Sequence, residues 1–171
     1  MNIILTGPPR IGKTTIVNEL INKLNKQCAG FYTEEIREDN RRVGFRLIAL
    51  DNNSCVMAHK NIRSKYRVGK YGVNLDCIEK TGVKAIKEGI ARKKIVIIDE
   101  IGKMELFSDR FKNTVIDALD SSSSVVGTIL FRHHPYCDKI KRRHDVELIE
   151  VTENNRSSMV KAIIIKVGIN I

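Results

Sequence analysis

Gly7-Pro8-Pro9-Arg10-Ile11-Gly12-Lys13-Thr14 is the segment of this chain with the clearest chemistry. Two glycines let a backbone curl around phosphate oxygens with its N–H groups pointing inward. A helix starting at Lys13 would add the partial positive charge of its N-terminus. Lys13 would reach the β- and γ-phosphates of a nucleoside triphosphate, and the Thr14 hydroxyl would ligate Mg²⁺. The pattern Gly-x-x-x-x-Gly-Lys-Thr occurs by chance elsewhere, so its context decides. Here Asn2–Thr6 reads as a short buried strand before it, and Lys13–Leu24 as an amphipathic helix after it.

Ile95-Val96-Ile97-Ile98-Asp99-Glu100 is the second chemical segment. The apolar run reads as a central strand, with two carboxylates at its C-terminal end, where open α/β sheets bind ligands. Asp99 is expected to hold Mg²⁺ through a water. Glu100, on the other side of the pleat, is expected to orient the attacking water and to accept its proton. Thr128, near the end of Val125–Ile129, is either a sensor of the γ-phosphate or a β-branched residue placed for strand propensity.

The remaining elements must position these groups. Ala29–Glu35 and Val43–Leu50 read as a hairpin around the polar turn Glu38-Asp39-Asn40, and Ser54–Ala58 as a further strand. Helices are expected over Leu75–Ile90, Asp109–Leu119 and Asn155–Val167, the last with an apolar stripe of Met159, Ile163 and Val167. Strands are expected at Lys94–Ile98, Val125–Ile129 and Val146–Val151, and Ser121–Ser124 is a loop. This alternation predicts an α/β fold, a mainly parallel sheet flanked by helices with an inserted β-hairpin, in one domain spanning 1–171.

The chain of 171 residues carries 30 Lys and Arg against 20 acidic residues, a formal charge of +10. Nucleic acid is a possible partner for such a surface, but not a required one. The basic residues are dispersed, densest at Lys60–Lys70 and Lys139–Arg143, and do not read as interleaved with aromatics. Cys28, Cys55, Cys77 and Cys137 form no Cys-x-x-Cys pair and are read as four reduced thiols. His133-His134 is read as an exposed loop rather than a metal site. No apolar run is long enough for a bilayer, and no signal peptide is visible, so a cytoplasmic protein is expected, with a monomer favoured.

Taken together, Thr6 to Thr15, Gly30-Phe31-Tyr32-Thr33-Glu34-Glu35, Arg42-Val43-Gly44-Phe45, Val68-Gly69-Lys70-Tyr71, Asp99 to Ser108, Gly127-Thr128-Ile129 and Val151 to Arg156 resemble the THEP1 nucleoside-triphosphatases over nearly the whole chain. The resemblance implies a P-loop NTPase with a RecA/AAA-like core, and slow hydrolysis of many nucleoside triphosphates. It implies a nucleotide site made of Gly7, Pro8, Pro9, Arg10, Ile11, Gly12, Lys13 and Thr14. A second segment of that site would be Asp99, Glu100, Ile101, Gly102, Lys103, Met104, Glu105 and Leu106. Members of this family usually carry Gly where this chain has Arg10. A positive φ there would strain the loop mildly, or the cation would add a phosphate contact. Lys103 and Arg156 are candidates for contacting phosphate or base, or else a surface charge and a helix-start residue.

Lys13 and Glu100 are thus the candidate catalytic residues, Thr14 and Asp99 the metal ligands, and ATP, GTP, CTP and UTP the expected substrates. Two rivals stay open. One is a nucleotide or small-molecule kinase, with Arg132, Lys139, Lys141, Arg142 and Arg143 as a lid. The other is an NTPase switch associated with RNA or DNA.

Overall fold

The chain folds around one nine-stranded sheet in the order β5-β6-β4-β3-β2-β7-β8-β1-β9. The computed structural model describes residues 1–169. The P-loop half is parallel. β1 (Asn2–Thr6) lies between β8 (Val125–Ile129) and β9 (Val146–Glu150), while β8 also pairs with β7 (Ile95–Ile101), and β7 with β2 (Cys28–Glu38). Beyond β2 the sheet turns antiparallel, through β3 (Arg41–Ala49), β4 (Ser54–His59), β6 (Tyr71–Val73) and β5 (Arg67–Val68). The expected hairpin is therefore part of a larger antiparallel wing. The β5–β6 pair was not expected, because two and three residues are too short to show a period of two.

Alternation along each parallel strand sorts side chains to opposite faces. Ile3, Leu5, Ile95, Ile97 and Val126 pack with Ile16, Val17 and Leu20 of α1 (Lys13–Leu24) and with Met159, Val160, Ile163 and Ile164 of α6 (Arg156–Lys166). Ile4, Val96, Ile98 and Ile129 pack on the other face with Ile78, Ile86, Phe111 and Val115. That face is covered by one long helical run. It opens as α2 (Leu75–Cys77), passes through a π-helical stretch (Ile78–Val83) and ends as α3 (Lys84–Ala91), with α4 (Asp109–Asp120) beside it. Asn74 caps the start of α2 and Ser108 caps α4, each side-chain oxygen accepting a backbone N–H.

α5 (Pro135–Lys141) was not expected as a helix. His134 caps it, accepting the Tyr136 N–H at Nδ1, so half of the pair read as an exposed loop starts a helix. The stripe of α6 is Met159, Val160, Ile163 and Ile164, and Val167 lies past the helix end.

Close backbone packing decides where glycine must stand. A Cβ on Gly30, whose φ is +113°, would lie 2.0 Å from the Ile97 carbonyl oxygen, so only glycine lets β2 lie against β7 there. The cysteine reading needs correction. Cys55 on β4 and Cys77 at the end of α2 form a disulfide, while Cys28 and Cys137 are buried thiols. The two partners are 22 residues apart in sequence, and only the packing of helix on wing brings them together.

Candidate functional site

The P-loop connects β1 to α1 at the carboxyl end of the parallel strands. Gly7 and Gly12 have φ of +144° and +112°. A Cβ on Gly7 would come within 2.9 Å of the Val151 carbonyl oxygen, so the loop leans on the segment after β9. Arg10 has φ +66°, in the left-handed region that favours glycine. Lys13 Nζ donates to the carbonyls of Gly7, at 2.7 Å, and Pro8, at 3.0 Å, which folds the ammonium across the mouth of the loop. Burial lowers its pKa, and the carboxylates of Glu100 and Asp99 oppose that shift.

Asp99 is buried. Its Oδ1 accepts the Thr128 hydroxyl at 2.6 Å, and the Thr14 hydroxyl and the Thr33 backbone lie near enough to favour its charged form. Its Oδ2 is buried without a protein partner. Burial raises its pKa, against the lowering effect of these donors and of Lys13. Thr33 lies just past Phe31, where the pairing of β2 with β7 ends and β2 runs on with β3 alone. Nothing in the sequence marked that amide. Thr128 does join the site, on the same face as Val126, one strand away from the P-loop strand.

β7 does not end before the acidic pair, as the sequence suggested, but continues to Ile101. Against β8 its register slips by one residue between Ile98 and Ile101. Such a bulge re-aims side chains. Across that slip, simple pleat alternation does not fix where Glu100 points relative to Asp99. Both carboxylates act on Lys13, Glu100 more strongly. Burial, and next the Asp99 charge, raise the pKa of Glu100.

Glu105, placed by the resemblance in the second segment of the site, is a third carboxyl, and its burial was not legible in the sequence. The short turn Glu105–Phe107 folds the chain back after Gly102. A Cβ on Gly102 would lie 3.1 Å from Glu105 Oε2 and 3.3 Å from the Glu100 carboxyl carbon, so the two carboxyls flank one glycine. Burial first, and Glu100 next, push Glu105 up to about 8.

The outlying candidates divide. Arg156 opens α6 and lies over the P-loop, since a Cβ on Gly12 would sit 3.9 Å from its Cδ. Beside it, Asn155 locks the loop after β9. Its Oδ1 accepts the Thr152 N–H at 2.9 Å, and its Nδ2 donates to the Glu150 carbonyl at 2.8 Å. Lys103 is exposed and lines a separate cavity with Arg67 and His134. Ile101 and Leu106 are buried in the core beneath, and Met104 packs against it. His133 pairs with Asp138, and among the described residues no group of three His, Cys, Asp or Glu side chains could hold a metal.

The separation of basic residues from aromatics also needs correction. Lys65 stands 5.1 Å from the Tyr66 ring, Lys70 5.4 Å from Tyr71, and Arg42 5.0 Å from Phe45. Arg42 and Tyr71 are far apart in sequence, and strand pairing brings them together. Among the described residues no helix is long and apolar enough to cross a membrane.

A glycine-rich loop between β1 and α1, facing a carboxylate on β7 with β8 between, defines the P-loop NTPase class. The model of the NTPase family matches residues 2–164, and the chain belongs to that family. It is 44% identical to the nucleoside-triphosphatase THEP1 of a Thermotoga species (strain RQ2) over 164 residues, covering 96% of this chain and 94% of that one. The crystal structure of THEP1 from the hyperthermophile Aquifex aeolicus superposes with a TM-score of 0.91 at 38% identity, covering 99% of this chain and 100% of that chain. The solution structure of a human cancer-related nucleoside triphosphatase does so with 0.82 at 31% identity, covering 98% and 97%.

Proposed function

We propose that this nucleoside-triphosphatase cleaves the terminal phosphoanhydride of ATP, GTP, CTP and UTP alike, with Mg²⁺ and slow turnover. The observation that carries the reading is the convergence of Lys13, Thr14, Asp99 and Glu100 at one end of the sheet. Phosphoryl transfer needs positioning and charge stabilisation more than covalent chemistry. The P-loop amides and Lys13 hold the β- and γ-phosphates. Glu100 orients the attacking water and takes its proton.

The donor set suits Mg²⁺. Asp99 presents a buried oxygen without a protein partner, and Thr14 a hydroxyl beside it. Asp99 and Thr14 would hold the ion, which would supply charge neutralisation to the triphosphate. The Thr128 hydroxyl holds Asp99 in place, which is what an oriented metal ligand requires.

Base tolerance is supported by the loop after β9. Asn155 commits its Oδ1 and one Nδ2–H within that loop, which ties its amide to the backbone and not to a base. The kinase reading is weaker here. Of the basic cluster meant as its lid, Arg143 is committed to Asp120 and Asp145, and Lys141 to the Phe131 carbonyl.

The test pairs binding with single-turnover hydrolysis. Glu100→Gln is expected to bind Mg·ATP about as tightly as the parent and to hydrolyse it on the order of 10²–10⁴ times more slowly. Lys13→Ala is expected to lose affinity as well. Near-normal hydrolysis by Glu100→Gln removes Glu100 from the chemistry, and lost binding makes it a metal ligand instead.

A further inference from the structure

The geometry points to a second ligand site, in the cavity between the β5–β6 hairpin and the β7–α4 connection, shaped for a nucleoside monophosphate unit. The cavity measures about 400 Å³ and is lined by Arg67, Val68, Gly69, Lys103, Leu106, Phe107 and His134. That volume falls in the range of small-molecule pockets. None of these residues belongs to the P-loop.

The lining has two chemistries. Val68, Leu106 and the ring of Phe107 supply an apolar wall. Phe107 is 37% exposed, yet its ring is held against Tyr66 with centroids 5.4 Å apart. A fixed, part-exposed ring is a stacking surface for a base. The rim is Arg67, Lys103 and His134, and the lining contains no carboxylate. Arg67 is steadied by the Lys70 carbonyl at 2.9 Å. His134 accepts at Nδ1, which leaves Nε2–H free to donate. Cations and donors around an apolar wall match a phosphate carried on a base-bearing nucleoside. The neighbouring groove of Glu79, Lys84, Glu88 and Arg110 mixes in carboxylates and does not match.

The position is that of a second ligand rather than the far end of the same triphosphate. Lys103 and Phe107 follow the carboxyl end of β7, and His134 follows β8. Arg156 and the loop after β9 stand on the opposite flank of the P-loop. With the terminal phosphate toward Glu100, the nucleoside of the triphosphate leaves toward β9, and the cavity lies beyond the terminal phosphate. This placement rests on the phosphate-binding reading above, and the experiment separates the two.

Full-length protein is first titrated with Mg·ADP, followed by amide chemical shifts. Failure of Gly12 and Thr14 to respond overturns the P-loop reading itself. With Mg·ADP saturating, AMP, a 5′-phosphorylated oligonucleotide and inorganic phosphate are added in separate arms. Saturable shifts at Gly69, Lys103 and Phe107 are expected, with Arg67→Gln and Phe107→Ala each weakening the affinity about tenfold and Mg·ADP affinity unchanged. Phe107→Leu keeps an apolar contact on Tyr66 without the ring, and is expected to weaken binding likewise. Response to the oligonucleotide but not to AMP assigns the unit to the end of a strand; response to AMP assigns it to a free nucleotide. The proposal is overturned if these amides stay silent in both arms. It is equally overturned if inorganic phosphate binds as tightly as AMP with no effect of the Phe107 variants.

Discussion

Arg10 occupies a backbone conformation that glycine adopts freely and an L-residue does not. Its φ of +66° stores strain on the order of 1 kcal/mol in the P-loop. Arg10→Gly and Arg10→Ala both remove the charge, but only Gly relieves the strain. Arg10→Gly is expected to unfold later than Arg10→Ala by roughly 0.5–1 kcal/mol in chemical denaturation, the reverse of the order at an ordinary site. Equal midpoints would show that Arg10 is unstrained. Glu105 makes a second residue-scale case. Its folded-state pKa is raised from 4.5 to about 8 by burial and by Glu100. Between those values the native state holds a proton that the unfolded chain has released, so stability declines as pH rises through the window. Glu105→Gln keeps the shape without the ionisation. Its unfolding free energy is expected to be flatter than the parent's from pH 4.5 to about 8, with the largest relative gain at the upper end. Parallel stability profiles would show that Glu105 is not held protonated.

At the scale of elements, the antiparallel wing is tied to the helical layer by Cys55–Cys77. A bridge closing a loop of this size stabilises by about 3 kcal/mol, mainly by restricting the unfolded chain. A thiol reductant, or Cys55→Ser, is expected to lower the unfolding free energy by roughly that amount. Single-turnover hydrolysis below the transition should persist, because neither cysteine touches the P-loop. A midpoint indifferent to reductant would return these residues to free thiols. Within the parallel half, the bulge after Ile98 has the converse role. It disturbs the ladder locally, at the two carboxylates whose charges both act on Lys13.

For the whole molecule, the phosphate-binding machinery sits at one end of the sheet, between two unlike flanks. On the β9 side stand Arg156 and the loop locked by Asn155, the flank proposed above to face the nucleoside. Steady-state rates for ATP, GTP, CTP and UTP are therefore expected to agree within about tenfold, since no side-chain pair is poised to give the large discrimination that a hydrogen-bonded base edge gives. A preference of several orders of magnitude for purines or pyrimidines would contradict this. On the β7 side the flank is basic and aromatic, and its Lys65–Tyr66 and Lys70–Tyr71 contacts belong to the antiparallel wing.

The P-loop, the acidic pair and the helix and strand cores were legible in the chain because each is local. Gly7 to Thr14 carries its chemistry in eight consecutive residues, and Ile95–Ile98 and α1 declare themselves by hydrophobic period. Three features depended on the tertiary structure. The Thr128–Asp99 hydrogen bond joins residues on neighbouring strands, 29 positions apart. The Cys55–Cys77 bridge joins the wing to a helix, and no spacing rule marks such a pair. The resemblance places Glu105 in the site's second segment, but only the turn at Gly102 buries it against Glu100. Local pattern determines which segments are strand, helix or phosphate loop, because periodicity and backbone freedom are properties of neighbours in sequence. Which carboxyl is buried, which thiol meets a thiol and which cations share a cavity are decided by strand order and register, and those arise only when the sheet closes.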